Sequence, residues 1–582
     1  MKRKRESKEP AKSAKPTQKP EVKVTASSRV EKDAANRAVK RVKSTKNGGR
    51  GESTSVPAVS AGDSTVVVLG DAPVTIQIVA GSYDRTLHGV TVTIPRGDSK
   101  AVQFADTFLF NAHTSAIRCL ALSPPSVAVP GQGQKVMLAT GSTDERINVY
   151  NLSAHPAAAS ASAAGEEERR LMATVVPGPV MAIAESSKNR ELGTLLHHAS
   201  TVTHLSFPTR SKLLSASEDS TIAVTRTRDW SLLSTIKAPV AKPGTGGSIR
   251  RPAGDTAAPG ATPSGVNFFA VHPSMKVMLS VSRGERCMRL WNLVTGKKAG
   301  VLNFGRDLLR DLGEGKHAPG EGRQVLWGRT FPSDSDSDSD DSAPTDEFAI
   351  GFDRNVVVFG MDSLPRCKVL ADARTKTHDF HYVEVDSDDN NSNNKNKPLS
   401  VLAVATEDGR ILLCSTRPDD LVPAAVADET TEQQTERRTA SSAAPLPCAR
   451  LVGHFGGKAL GIQERIKAFK VLTVMETAPG AKKKTQLQQV FYIVTAASTG
   501  ALRIWRLRGG ELRQAVESSR DAAEANKEAG RQVGQLLGTY QTPDRITCME
   551  AFVMIPRPDG VDESEDEEPS VDEDEDEDED DE

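Results

Sequence analysis

Aromatic residues make up only 4% of the 582-residue chain, and no run of about 18 apolar residues occurs in it. The second absence excludes a hydrophobic membrane-spanning helix. Cysteine is also sparse. The six (Cys119, Cys287, Cys367, Cys414, Cys448, Cys548) are scattered with no CxxC spacing, which argues against a disulfide framework and a zinc site and fits a reducing compartment. The opening Met1-Lys2-Arg3-Lys4-Arg5 has no apolar stretch behind it, so no secretory signal is expected and the protein is predicted to be soluble and intracellular.

Net charge is nearly absent at −3, but the balance hides two one-signed ends. Residues 1–50 hold 17 Lys/Arg against 5 Asp/Glu, whereas residues 559–582 hold 18 acidic residues and no basic one. Such compositions bury too little apolar surface to offset chain entropy. A disordered basic head over 1–65 and a disordered acidic tail over 559–582 are therefore predicted. Low-complexity stretches near 154–168, 239–265, 333–342, 386–397, 424–447 and 511–535 read as surface insertions, the last with a short, thinly apolar, exposed helix.

Between the insertions a unit recurs seven times: an apolar strand, a tight polar turn and a second apolar strand. The turns are Gly81-Ser-Tyr-Asp84, Gly141-Ser-Thr-Asp144, Ala216-Ser-Glu-Asp219, Val281-Ser-Arg-Gly284, Ile350-Gly-Phe-Asp353, Ala405-Thr-Glu-Asp408 and Ala497-Ser-Thr-Gly500. Asp-Gly and related pairs admit the positive φ of short hairpin loops. Exit strands carry an aromatic at Tyr150, Trp291, Phe359 and Trp505. A further strand precedes six of the hairpins, as in Ala116-Ile-Arg-Cys-Leu120 and Thr201-Val-Thr-His-Leu205. The first hairpin lacks one, and Arg545-Ile-Thr-Cys-Met549, far downstream, has the same form. Seven small sheets closed in a ring cover their own faces and edges. The expected fold is all-β, a seven-bladed β-propeller over 73–554, closed by strand 545–554.

His113 and His198, with the turn residues Asp144 and Asp219 and intervening Ser/Thr, resemble the bracing chain of WD repeats, in which a closing Trp takes part. Asp353, Asp408, Trp291 and Trp505 are the further candidates for that bracing role. The match narrows at Ile78-Val-Ala-Gly-Ser-Tyr-Asp84, Gly193-Thr-Leu-Leu-His-His198 and Trp291-Asn-Leu-Val-Thr-Gly296. These segments resemble the p21-activated-kinase-interacting WD-repeat family, whose fungal members are the maintenance-of-killer-type factors of large-subunit ribosome assembly. The resemblance implies a nucleolar, non-catalytic scaffold on pre-60S particles and their assembly factors, active in pre-rRNA processing. The alternative it carries is a regulator that binds and inhibits a p21-activated protein kinase.

No catalytic residue, metal site or cofactor is expected. His378-Asp379-His381-Glu384 superficially offers metal ligands, but strand alternation would turn His378 and His381 to opposite faces. Glycine pairs occur without the Gly-Lys-Ser/Thr of a phosphate-binding loop. Lys2, Arg3, Lys4 and Arg5 with Lys40, Arg41 and Lys43 form two basic clusters suited to nuclear import and to sequence-blind contact with pre-rRNA. Ser333, Ser335 and Ser337 each precede an Asp by three places, the pattern of acidophilic kinase sites; each phosphate would add about −1.5 to −2 charges. Neither a membrane nor a small-molecule substrate is an expected partner.

Overall fold

The computed structural model describes residues 66–68, 72–96, 101–129, 132–156, 189–240, 265–314, 320–331, 345–371, 374–386, 398–423, 445–477, 487–521 and 531–556. The basic head with both its clusters, the acidic tail, and Ser333, Ser335 and Ser337 lie outside these residues. The strands form seven sheets. β1 (Val66–Val68) is an extra strand discussed below. Blade 1 holds β2 (Val74–Ser82), β3 (Thr86–Ile94) and β4 (Gln103–Asn111); blade 2 holds β5 (Ile117–Leu122), β6 (Lys135–Ser142), β7 (Ile147–Ser153) and β8 (Arg190–Leu195). Blade 3 comprises β9 (Val202–Thr209), β10 (Lys212–Ser217), β11 (Thr221–Arg226) and β12 (Leu232–Lys237). Blade 4 comprises β13 (Val266–Val271), β14 (Val277–Ser282), β15 (Cys287–Asn292) and β16 (Lys297–Asn303), followed by the short helix α1 (Arg306–Asp311).

Blade 5 runs through β17 (Gln324–Thr330), β18 (Thr345–Gly351), β19 (Val356–Gly360) and β20 (Pro365–Lys368). Blade 6 runs through β21 (Thr377–Val385), β22 (Leu399–Thr406), β23 (Arg410–Ser415) and β24 (Arg450–Gly456). Blade 7 has β25 (Ile466–Thr477), β26 (Leu487–Ala497), β27 (Ala501–Arg508) and β28 (Gln535–Gln541), with helix α2 (Gly509–Asp521) between the last two. The last strand, β29 (Ile546–Val553), crosses back to complete blade 1: Ile78 faces Ala551 and Ser82 faces Ile546 in an antiparallel ladder.

The burial pattern explains why a ring forms. The second strand of each blade is sandwiched on both faces; all nine residues of β2 and all eight of β22 are buried. Inner strands are only partly buried, as in β21, where Thr377, Phe380, Val383 and Val385 are buried and the residues between them half-buried, and outer strands such as β16 are mostly exposed. Seven apolar clusters fill the seven gaps between neighbouring blades. Blades 7 and 1, for instance, share Ile76, Ile78, Val92, Val494, Ile504 and Ile546. Burial of this kind is worth about 25 cal/mol per Å² of apolar surface, so the closing strand is held by packing as well as by its ladder.

Two features depart from the sequence reading. β1 pairs in parallel with β25, Val66 opposite Val474, and adds a fifth strand to blade 7 at a point upstream of the expected start of the propeller at 73. Helix α2 is packed rather than exposed: Leu512, Ala515 and Val516 are buried against Val385, Val452, Leu507 and Val533 at the junction of blades 6 and 7. Its thin apolar face is matched to a narrow groove, which a count of apolar residues does not reveal. The described helices include none long and apolar enough to cross a membrane.

The topology sorts the connections between two ends of the ring. At one end lie the seven tight turns and the links from an outer strand to the next inner strand. Insertions near 154–168, 333–342, 386–397, 424–447 and 511–535 all leave from and return to the opposite end, because each joins a first strand to a second or a third to a fourth. Of the predicted insertions only 239–265, between β12 and β13, belongs to the turn end.

Candidate functional site

The turn end is the better-defined of the two surfaces, and hydrogen bonds set its geometry. In blade 2 the buried His113 ring ties the segment ahead of β5 to β6 and its turn: Nδ1 lies 3.1 Å from an Asp144 oxygen and Nε2 lies 2.8 Å from Thr140 Oγ1. Burial pushes the His113 pKa down despite the neighbouring carboxylate. The neutral ring therefore donates from Nδ1–H to Asp144 and accepts the Thr140 hydroxyl at Nε2. Asp144 also accepts the backbone N–H groups of Thr114 and Arg146, at 3.0 and 3.1 Å. Burial alone would raise its pKa; these donors and His113 outweigh it and hold the carboxyl below its ordinary value.

Blade 3 repeats the arrangement. His198 Nδ1 is 3.2 Å from Asp219 and its Nε2 is 2.8 Å from Ser215 Oγ, while Asp219 accepts N–H groups from Ala199 and Thr221. Burial again opposes ionisation of Asp219, and the His198, Thr221 and Ala199 donors again win, depressing the pKa strongly.

The other expected bracing residues separate. Trp291 donates from Nε1 to Ser280 Oγ at 2.8 Å, but its turn carries Gly284 and no histidine joins the chain. Trp505 is buried against Phe455, with ring centroids 5.6 Å apart. Asp353 and Asp408 meet no histidine among the described residues. Asp353 forms ion pairs with Arg323 at 2.8 Å and Lys376 at 3.3 Å, and Asp408 binds the Arg410 guanidinium at 2.6–2.7 Å. In blade 5 Arg323, just ahead of β17, stands where the histidine would, whereas in blade 6 Asp408 is held by Arg410 of its own hairpin.

Two carboxylates absent from the sequence reading share this work. After β16 the chain turns through α1, burying Phe304, Leu309 and Leu312 in the gap between blades 4 and 5. That excursion carries Glu314 and Glu321 to neighbouring turns, where Glu321 accepts the Gly284 N–H at 2.5 Å and Glu314 accepts the Asp353 N–H at 3.0 Å. Burial raises both pKa values, and Asp353 adds to the rise at Glu314. Nothing in the local spacing of Glu314 and Glu321 announces this role; it depends on the loop's path.

In the His378–Glu384 segment β21 bulges between Thr377 and Asp379; beyond the bulge Asp379 and His381, two residues apart, share a face, and His381 Nε2 comes 3.4 Å from Asp379. His378 is turned toward Lys467, Arg465 and Arg323; burial first, then those cations, pushes its pKa down to about 4. Among the described residues no group of three or more His, Cys, Asp or Glu side chains is placed to hold a metal ion. The channel wall below carries an ion pair, Lys470 Nζ to Glu550 at 2.9 Å.

Comparison with known proteins matches this framework. The family model described as WD domain, G-beta repeat aligns with residues 105–151 and 189–224, which span the two complete His–Asp braces up to the exit strand of blade 3. The chain is 28% identical over 237 residues to a p21-activated protein kinase-interacting protein 1-like of Danio rerio, covering 41% of this chain and 44% of that protein. It is 26% identical over 248 residues to Protein MAK11 of Saccharomyces cerevisiae, covering 39% of this chain and 43% of that protein. A Gallus gallus p21-activated protein kinase-interacting protein 1-like is 26% identical over 229 residues, or 39% and 42% of the two chains. In each case the chain spans less than half the length of the relative it matches. Seven sheets in a closed ring make the chain a seven-bladed β-propeller; WD repeats are matched where blades 2 and 3 carry the His–Asp braces, and the chain is similar to the p21-activated-kinase-interacting proteins and MAK11.

Proposed function

We propose that the protein is a non-catalytic scaffold of large ribosomal subunit assembly, docking in the nucleolus on pre-60S particles and their assembly factors during pre-rRNA processing. The observation that carries the reading is the similarity to MAK11 and the kinase-interacting proteins, together with the family role that the sequence motifs imply. The architecture suits it. A ring braced by buried hydrogen bonds offers two rigid ends on which partners are held at fixed geometry without any chemical step. The basic head supplies the import signal and the acidic tail a contact for basic proteins. The test is depletion with a tagged copy. Co-sedimentation with pre-60S particles and accumulation of 27S precursor on depletion are expected; a tagged protein that sediments free, with normal 27S processing, refutes the proposal.

A second reading rests on the name of the kinase-interacting relatives. The protein would bind and restrain a p21-activated kinase. Deleting residues 1–45 separates the two: it abolishes nucleolar accumulation and assembly activity under the first reading and leaves kinase inhibition intact under the second.

A further inference from the structure

Six of the seven inner strands share one irregularity. The ladder skips a residue at the second position of β5, β9, β13, β21, β25 and β29, so Arg118, Thr203, Asn267, His378, Lys467 and Thr547 each stand out as a bulge. Each bulge lies opposite the residues just before a tight turn, such as Gly141 and Ser142 or Ala405 and Thr406. The six therefore form one layer around the channel mouth at the turn end. A bulge re-aims a side chain, and one repeated around a ring builds a common surface.

Three members of the layer fasten adjacent blades. Thr547 Oγ1 donates to the Ile117 carbonyl and Thr203 Oγ1 to the Val266 carbonyl, both at 2.6 Å, and Asn267 Nδ2 donates to the Gly322 carbonyl at 2.9 Å. Arg118, His378 and Lys467 occupy the same positions without such a bond. His378 Nε2 is buried with no hydrogen-bond partner among the described residues. Inner strands neighbour one another in the order β21, β25, β29, β5, so these three lie on one arc of the ring.

Further cations flank the arc just ahead of the inner strands. Arg465 and Arg323 are paired with Glu407 and Asp353. Arg545 lies with its guanidinium carbon 5.7 Å from the centre of the Tyr83 ring, and Tyr83 is 60% exposed. Arg118, Lys467 and Arg545 have no carboxylate partner among the described residues. The groups feel one another: burial first, then Arg465, Arg545, Arg118 and Arg323, lowers the Lys467 pKa. Like charges grouped on a rigid ring repel one another, and an arriving anion would relieve that repulsion.

We propose that this arc is a docking site for single-stranded RNA, with Arg118, Lys467 and Arg545 on successive phosphates and a base stacked on Tyr83. Lys467, Arg545 and Arg118 belong to three neighbouring blades, 7, 1 and 2, and such a series along the ring suits a chain of phosphates. Every side chain of the bulged layer is polar or charged, and the exposed Tyr83 ring beside it offers a flat face on which a base can stack. Contact of this type neutralises phosphates and stacks bases without reading their identity. The site goes beyond the assembly role proposed above and concerns what the purified chain binds, so either proposal can fail alone.

The test is fluorescence anisotropy of a labelled oligouridylate with the full chain at several salt concentrations. The variants are the triple Arg118→Gln/Lys467→Gln/Arg545→Gln, the charge-keeping triple Arg118→Lys/Lys467→Arg/Arg545→Lys, Tyr83→Ala, and a head variant with Lys2, Arg3, Lys4, Arg5, Lys40, Arg41 and Lys43 changed to Gln. The neutral triple is expected to lose at least about tenfold in affinity and to show a log K against log salt slope shallower by about 2, at roughly 0.7 per lost phosphate contact. Tyr83→Ala is expected to lose roughly tenfold, and the charge-keeping triple to bind like the parent. Two results overturn the proposal. One is a neutral triple with parental affinity, whether or not the head variant has lost binding. The other is a neutral triple that keeps RNA and loses an acidic phosphoserine peptide, which would assign the arc to a protein partner. If the neutral triple does not fold, Tyr83→Ala and the charge-keeping triple decide the matter by the same readout.

Discussion

Replacing the turn aspartate by asparagine should have very different consequences in different blades. In blades 2 and 3 the aspartate is the hub of several donors, backbone N–H groups near the surface and a histidine that is fully shielded from solvent (His113 and His198 side chains, both 0%). An amide in place of the Asp144 or Asp219 carboxylate would keep one acceptor oxygen but set an NH₂ against N–H groups that point at it. Hydrogen bonds to a charged group contribute about 1.5–3 kcal/mol each, and a buried donor left unpaired costs about 1–3 kcal/mol. On that basis a loss of about 2–3 kcal/mol is expected for Asp144→Asn and Asp219→Asn. Asp353 is paired instead with Arg323 and Lys376, whose side chains are 41% and 39% exposed. Such pairs are worth about 0–1 kcal/mol, so Asp353→Asn should cost under about 1 kcal/mol.

The assay is urea unfolding followed by intrinsic fluorescence, reading the midpoint. It also has a pH arm. Asp144 and Asp219 have folded pKa values below those of the unfolded chain. The stability they contribute is complete above the unfolded value of about 4 and is lost as pH falls through the folded values. The gap between parent and Asp219→Asn should thus be full at pH 7 and shrink below about pH 4. Equal midpoint shifts for Asp144→Asn, Asp219→Asn and Asp353→Asn would refute the bracing argument, as would a gap unchanged at the lowest pH that preserves the fold.

Three further outcomes are expected. Leu512→Ala in α2, buried between blades 6 and 7, should cost about 3 kcal/mol by denaturant titration, while Glu517→Ala on the exposed face leaves the midpoint unchanged. Gly500 has φ 93°, and a Cβ there would meet the Thr542 carbonyl at 2.4 Å, so Gly500→Ala should lower stability by at least about 1–2 kcal/mol. Burial pushes the Cys448 and Cys548 thiols up to about 11 and about 12 and the Cys119, Cys367 and Cys414 thiols up as well. At about pH 8 these five should resist a thiol-specific reagent until the protein unfolds, the half-buried Cys548 least; rapid native-state labelling of Cys119, Cys367, Cys414 or Cys448 would contradict their burial.

The parts of the fold legible in the sequence are those encoded locally. Turns such as Thr143-Asp144-Glu145 announce themselves because few residues accept the backbone they need; Glu145 has φ 70°. Inner and middle strands show as short β-branched runs because neighbouring blades cover them. The outer strands do not. Lys297–Asn303 reads Lys-Lys-Ala-Gly-Val-Leu-Asn, exposed nearly throughout, and only its ladder to β15 makes it a strand. Trp291 and the two His–Asp pairs are visible from spacing. The arc of Arg118, Lys467 and Arg545 is not, since it arises from residues hundreds of positions apart and from bulges that no single strand's composition encodes.

Closing the ring with β29 has a consequence for synthesis. Thr547 bonds to the Gly81 carbonyl across 466 residues, so at roughly 5–20 residues per second the partner of β2 leaves the ribosome about 25–90 seconds after β2 itself. Throughout that interval the edge of β2 that faces β29 is unpaired on a nascent polypeptide and open to other strands. A chaperone that shields Val74–Ser82 until translation ends would protect this protein more than one acting on any later blade, and truncations ahead of Ile546 should aggregate even though six blades are intact.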